Sequence, residues 1–278
     1  MRVLVTGAAG MLGHDLTALL RSQGHDVVPV DLEVDITDPD AIGPRIEEVR
    51  PDAVFHLAAW TDVDDAEERE EAATAVNVAG SRNVVTAARR VGAAVVCVST
   101  DYVFAGTQPE GYAEDDEVGP IGAYGRTKEA GERAALEAYP EGVRIARTAW
   151  LYGSNGKNFV DTMRHLGAAR DEITVVADQV GSPTWTCDLA PALVALLDQP
   201  PGIYHTAGGG QVTWADFARE IFRQEGIDCA VRDVTTAEFG RPAPRPAVSI
   251  LRVTREGSPR LRDWREALRD YLAENPTA

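Results

Sequence analysis

Over the first 150 positions, short apolar runs alternate with stretches of helical periodicity. The run Arg2–Thr6 is followed by Gly7, Gly10 and Gly13, and then Leu12, Leu16, Leu19 and Leu20 recur at helical spacing. That pattern predicts a strand, a glycine turn and a helix. It continues with strands over 27–30, 53–57, 94–98 and 143–146, and helices over Pro39–Val49, 67–91 and 125–139. Asp38 stands as N-cap of the second helix. The third begins acidic, ends in Arg89-Arg90 and is followed by Gly92, as the helix dipole and C-cap preferences favour. Apolar strands alternating with helices imply a parallel sheet covered on both faces, an α/β fold of the Rossmann-type, doubly wound kind.

Beyond Trp150 the rhythm is looser. Helices are predicted over Phe159–Ala169, 188–197, Trp214–Glu225 and 262–272, with strands over 173–176 and 203–206. Gly208-Gly209-Gly210 reads as a loop and Arg241-Pro242-Ala243-Pro244-Arg245-Pro246 as an extended segment. The chain therefore divides into residues 1–150 and a smaller lobe, 151–278, with some of the lobe's elements returning to the sheet.

The charge balance narrows the classes of partner. Against 44 Asp and Glu stand 27 Lys and Arg, a net charge of −17. A surface this acidic argues against nucleic acid and anionic membranes, which are polyanions. No apolar run approaches the roughly 18 residues of a membrane span, and the first residues read as a strand rather than a signal peptide. Cys97, Cys187 and Cys229 are odd in number and lack C-x-x-C spacing, which points to a reducing compartment with no disulfide framework or zinc site. A soluble, cytoplasmic protein is expected. Only two of the cations are lysines, Lys128 and Lys157. A GC-rich genome accounts for that ratio. A high-salt cytoplasm accounts for both ratio and charge, because salt screens the repulsion among carboxylates, so a halophilic source is the favoured expectation.

In Gly7-x-x-Gly10-x-x-Gly13 the first glycine permits a tight turn, the second lets backbone approach a pyrophosphate, and the third packs helix on strand. The helix N-terminus then faces the anion, so residues 1–150 read as a dinucleotide-binding domain. Asp31 ends the second strand, where a carboxylate accepts from a ribose 2′-OH and repels a 2′-phosphate. With no Arg or Lys between Asp26 and Pro44, NADH is weakly favoured over NADPH; the alternative is a solvated acid among many. Tyr124 and Lys128 are four positions apart, on one helix face. A phenol can give a proton, and a nearby ammonium lowers its pKa toward the working range. The alternative is a surface pair. Thr100, at the C-terminal edge of a parallel strand, can donate to a substrate carbonyl oxygen, or serve only as a turn or cap.

With these residues in place, the sequence resembles the extended short-chain dehydrogenase/reductases and, within them, the dTDP-4-dehydrorhamnose reductase family. The resemblance runs through 6–13, Asp35-Ile36-Thr37-Asp38, Leu57-Ala58-Ala59-Trp60-Thr61-Asp62, Val76-Asn77, 99–104, Tyr124–Lys128, Arg147-Thr148-Ala149-Trp150, Gly156-Lys157-Asn158-Phe159, 177–184 and Arg245-Pro246-Ala247-Val248-Ser249. Ser99-Thr100-Asp101-Tyr102-Val103-Phe104 and Asp178-Gln179-Val180-Gly181-Ser182-Pro183-Thr184 discriminate; nucleotide-sugar dehydratases usually carry Asp-Glu after the threonine, and here Tyr102 follows Asp101. The resemblance implies Gly7, Gly10, Met11 and Leu12 at a pyrophosphate, Asp35 and Ile36 at an adenine, and Ala58, Ala59 and Thr61 toward a nicotinamide. It implies Thr100, Tyr124 and Lys128 as catalytic, the last two also touching cofactor, and Asp101, Tyr102 and Trp150 at the sugar. Trp150 as core packing is the other reading. Trp60 stands where the family often has Tyr, Asp65 where it often has Lys, and Asp31 replaces a neutral or basic residue. The glutamates through which some members bind magnesium at a dimer contact have no match here, so no metal is expected.

The implied activity is hydride transfer from NADPH or NADH to the C4 ketone of a nucleotide-linked deoxysugar, foremost dTDP-4-dehydrorhamnose to dTDP-L-rhamnose. The substrate diphosphate needs local cations, for which Arg241 and Arg245 are candidates; as solvated arginines of a connector they would have no such role. The alternatives are another 4-keto nucleotide sugar, or a non-catalytic NADP-binding regulatory subunit like the one that accompanies methionine adenosyltransferase. The partner expected is a small-molecule substrate, bound to a monomer or homodimer.

Overall fold

A computed structural model describes residues 1–276. Six parallel strands form the central sheet, in the order Gly202–His205, Val143–Thr148, Ala94–Thr100, Ala53–His56, Arg2–Thr6, Asp26–Val30. From Arg2–Thr6 the chain winds first to one edge and then back to the other. The reversal falls between Arg2–Thr6 and Ala53–His56, and a doubly wound sheet opens its crevice there, beyond the C-terminal strand ends. Thr6, His56, Thr100 and Thr148 stand at those ends.

Alternate strand residues feed separate cores because side chains alternate across a sheet. Leu4, Val54 and Val95 pack with Ile42, Ile46 and Val84 beneath the helices Pro39–Val49 and Ser81–Val91. Val3, Val5, Phe55 and Val96 pack on the other face with Leu16, Leu20, Leu189 and Leu193, from Met11–Ser22 and Thr186–Ala195. Both faces are thus sealed, which is why the middles of the central strands are mostly apolar, with polar residues such as Thr6, His56 and Thr100 at their C-terminal ends.

A third core, with Tyr152, Phe217, Ile221, Trp264 and Leu268, forms the smaller lobe. It lies among the helices Phe159–Ala169, Trp214–Glu225 and Trp264–Glu274, beside the parallel pair Glu172–Val176 and Ala230–Val234. The helix Thr186–Ala195 and the strand Gly202–His205 go with the sheet: the helix packs on Met11–Ser22 and the strand pairs with Val143–Thr148. Among the described residues no helix is long and apolar enough to cross a membrane.

The single helix expected over 67–91 is not continuous. Helices Val63–Glu68 and Glu70–Thr74 meet at Arg69, whose φ of −127° leaves the helical region, and a π-helical turn, Ala75–Gly80, precedes Ser81–Val91. The wide turn carries Asn77 inward. Its Oδ1 accepts from Trp60 N (2.8 Å) and its Nδ2 donates to Thr127 Oγ1 (2.9 Å). A local extra residue in a helix typically marks such a tertiary demand.

Candidate active site

The glycine turn is dictated by close approach. Gly7 has φ +67°, and a Cβ there would lie 2.7 Å from Ala58 N. A Cβ on Gly13 would lie 2.2 Å from Gly7 O, so the helix sits against the turn. Gly10 caps Met11–Ser22 without a side-chain bond, leaving first-turn amides open to an anion. Asp31 takes a place the sequence did not reveal: its Oδ2 accepts from Ala9 N (2.7 Å) and its Oδ1 from Leu32 N (3.0 Å), so it buttresses the turn.

Two chambers flank this turn. One, of about 530 Å³, is lined by Gly7, Gly10, Asp31, Asp35, Ile36, Ala58, Ala59 and Thr61. The other, of about 460 Å³, is lined by Met11, Leu12, Thr100, Asp101, Tyr102, Tyr124, Lys128, Trp150 and Trp214. Both are walled by Gly7, Gly10, Leu57, Ala59 and Thr61, which makes them one cleft. In the first, the Thr37 hydroxyl and amide hold the Asp35 carboxyl below its usual range.

A buried polar chain fixes the wall at Ala58. Ala58 N donates to Thr6 Oγ1 (3.3 Å), Thr6 Oγ1 lies 2.8 Å from His56 Nδ1, and His56 Nε2 lies 3.0 Å from Ser81 Oγ. Ser81 Oγ in turn donates to Asn77 O (2.7 Å). With that proton committed, Ser81 accepts from His56, which assigns the Nε2–H tautomer and leaves Nδ1 to accept from Thr6. Burial, aided by the Lys128 charge, lowers the His56 pKa to about 3, so the ring is neutral.

The catalytic candidates converge in the second chamber. Thr100 Oγ1 donates to Asp101 Oδ1 (2.9 Å) at the end of its strand. Burial raises the Asp101 pKa to about 6 against the Ser249 and Thr100 hydroxyls. Lys128 is partly buried, and its Nζ donates to Val98 O (2.8 Å). Burial lowers its pKa, opposed by Glu132 and Cys97. The Tyr124 phenol departs from expectation. Burial pushes its pKa well above the ordinary value, Asp101 adds to the rise, and the Thr100 hydroxyl only partly offsets it. The Tyr124 phenol therefore stays protonated rather than becoming readily ionised. Its ring meets Tyr102 edge-on at 5.6 Å.

The helix Ala123–Ala138 that carries Tyr124 and Lys128 has no side-chain cap of its own. Glu67 supplies one, its Oε1 accepting from Ala123 N at 2.6 Å, and Glu70 grips Arg126 through two bonds of 2.9 Å. The short helices ahead of the π turn thus seat the helix that bears Tyr124 and Lys128.

Trp150 does more than fill a core. Its φ is +48°, a strained value for a bulky residue, and its ring stacks on Trp214 at 3.5 Å and 7°. A Cβ on Gly181 would lie 2.3 Å from Trp150 Cε2, so that glycine makes room for the ring. Arg241 and Arg245 line neither chamber. They donate to Asp64 at 3.3 and 3.0 Å, and Ala243 N joins them at 3.1 Å. Burial pushes Asp64 up, but Arg245, Ala243 N and Arg241 outweigh it and leave its carboxyl below the usual range.

Residues 1–276 match the family model for the RmlD substrate binding domain. The chain belongs to this family. The dTDP-4-dehydrorhamnose reductase of Streptomyces griseus is 48% identical over 278 residues, covering 96% of this chain and 91% of that protein. The dTDP-4-keto-6-deoxy-D-glucose reductase of Streptomyces niveus is 44% identical, over 90% of this chain and 88% of that one. The crystal structure of Bacillus anthracis dTDP-4-dehydrorhamnose reductase in complex with NADP superposes with a TM-score of 0.96 at 41% identity, over 99% of each chain.

Sequence reasoning missed several residues at the cleft or beside it. Trp214 comes from the other lobe, and no motif marks it. Glu67 accepts from the Ala123 amide and His56 pairs with the Thr6 and Ser81 hydroxyls, partners that only the fold brings near. Glu132, one helical turn past Lys128, was the one with a signal, since i and i+4 share a helix face.

Proposed function

We propose that this protein reduces the C4 ketone of a nucleotide-linked deoxysugar with NAD(P)H, taking dTDP-4-dehydrorhamnose to dTDP-L-rhamnose. The observation that carries this reading is the convergence of Thr100, Tyr124 and Lys128 on the cleft that the glycine turn opens. The turn fits the cofactor: the space beside Gly7 and the uncapped helix suit a pyrophosphate. When bound, the dihydronicotinamide supplies the hydride. Thr100 donates a hydrogen bond to the ketone oxygen as charge develops there. Tyr124, kept protonated by burial, gives that oxygen its proton and regains one from solvent. Lys128 places a positive charge beside the forming phenolate. Asp101, Tyr102 and Trp150 contact the sugar, and Trp214 backs Trp150.

The assay is cofactor oxidation with a panel of 4-keto nucleotide sugars, each with NADH and NADPH. Turnover is expected with dTDP-4-dehydrorhamnose above the other sugars. Preference for another sugar would change the substrate, and no oxidation with any would favour a regulatory subunit. The same panel decides the cofactor. Asp31 favours NADH by charge, while the relative from Bacillus anthracis was solved with NADP. For the substrate diphosphate, Arg241 and Arg245 would exchange Asp64 for phosphate oxygens; unchanged substrate KM in both Arg→Ala variants removes them from the site. The halophilic reading of the −17 charge predicts a melting temperature that rises from low to molar salt.

A further inference from the structure

Behind Lys128, and outside the cleft, the core holds a second set of charges that the reaction does not use directly. Glu132 is joined to Arg147 by bonds of 2.7, 3.0 and 3.2 Å, with side chains only 6% and 3% exposed. Ser99 Oγ also donates to Glu132. Ser99 and Arg147 face each other across paired strands, one position before Thr100 and Thr148. One carboxylate therefore ties the catalytic helix to the strand end that bears Thr100 and to the strand that leads to Trp150. Between Glu132 and Lys128 lies a cavity of about 10 Å³, room for about one water, also lined by Ser99, His56 and Asn77.

Stability alone does not explain such a pair. Desolvation of two buried ions consumes most of their attraction, and apolar replacements of equal volume are often as stable. The surroundings of Lys128 supply a reason. From the strand Ala94–Thr100 it faces Cys97, whose thiol burial pushes up to about 12, and from Ala53–His56 it faces the neutral His56. The π turn and the following helix contribute the uncharged Asn77 and Ser81, and its own helix contributes Tyr124, a protonated phenol, and Glu132. Arg147 is bound to Glu132 from the next strand. Of these groups Glu132 is the anion.

We propose that Glu132 is a positioning residue of the reduction, fixing the Thr100 strand end through Ser99 and supplying the counter-charge of the Lys128 ammonium. The catalytic half of this statement rests on the reductase reading above; the electrostatic half does not. With two lysines in the chain, lysine-labelled protein gives two side-chain signals by NMR, and Lys157→Arg identifies that of Lys128. In unliganded Glu132→Gln, the Lys128 titration midpoint should fall by about one pH unit, a tenfold loss of proton affinity. An unmoved midpoint in the folded variant overturns the proposal. If that variant does not fold because Arg147 is left unpaired, Glu132→Gln with Arg147→Met removes both charges; a fallen midpoint again supports the proposal and an unmoved one overturns it.

In turnover, Glu132→Gln should lower kcat by about tenfold or more, with substrate KM within about threefold. Ser99→Ala keeps the ion pair, so kcat should fall without a shift in the Lys128 midpoint; unchanged kcat overturns the role assigned through Ser99. A wild-type protein without turnover would refute the reductase reading while leaving the titration result standing.

Discussion

Around Gly7 the cleft is walled by main chain, whereas around Trp150 it is walled by side chains drawn from both lobes. The first wall is close-packed backbone and works by leaving atoms out: a methyl at Gly7 would strike Ala58, and one at Gly13 would strike Gly7. The second is assembled from segments that meet only in the finished fold: Thr100, Tyr124, Trp150 and Trp214. A wall of backbone suits a part common to many ligands, such as a pyrophosphate. A wall of side chains can be changed one residue at a time, and that is where discrimination among 4-keto sugars belongs.

The largest expected effect falls on the side-chain wall. Tyr124→Phe should lower turnover by about 10²–10⁴-fold while cofactor binding stays nearly intact; retained turnover removes Tyr124 as proton donor. On the backbone wall, Gly7→Ala meets Ala58 N at 2.7 Å and holds a positive φ. It should cost about 1–3 kcal/mol of stability and weaken cofactor binding, read by unfolding and fluorescence titration. Normal cofactor affinity in that variant would break the contrast between the walls.

A pH effect sharpens the backbone side. His56 is held neutral, its pKa lowered to about 3, so the unfolded chain takes up the proton first. The associated stability is complete above about pH 6.5 and is lost as pH falls toward 3, at up to about 1.4 kcal/mol per unit. Denaturant unfolding across that window should show the slope, and His56→Gln should flatten it. The smallest effect is on the far lobe: Trp214→Ala removes the ring stacked on Trp150 and should raise substrate KM by about fivefold, near 1 kcal/mol, with cofactor KM unchanged.

The strands were legible because each carries a short, mostly apolar run, and their alternation with helices implied the doubly wound sheet. The 67–91 stretch was not, because periodicity cannot register that Asn77 must reach Trp60 and Thr127. The chemistry split the same way. Tyr124 and Lys128 are visible as a helical pair, yet the phenol's burial, which reverses the expected direction of its pKa, belongs to the packing. Arg241 and Arg245 read as free cations, and only the fold brings Asp64 to them. Arg147 opposite Glu132 is likewise a matter of strand register, not of sequence spacing.

Hydride transfer to a sugar ketone at the Thr100–Tyr124–Lys128 cluster leaves an isotopic mark on the product. Its most direct test is turnover of dTDP-4-dehydrorhamnose with cofactor deuterated at the transferable position. One deuterium is expected at C4 of the sugar in the wild type and almost none with Tyr124→Phe. Product without deuterium at C4, or no cofactor oxidation at all, would contradict it.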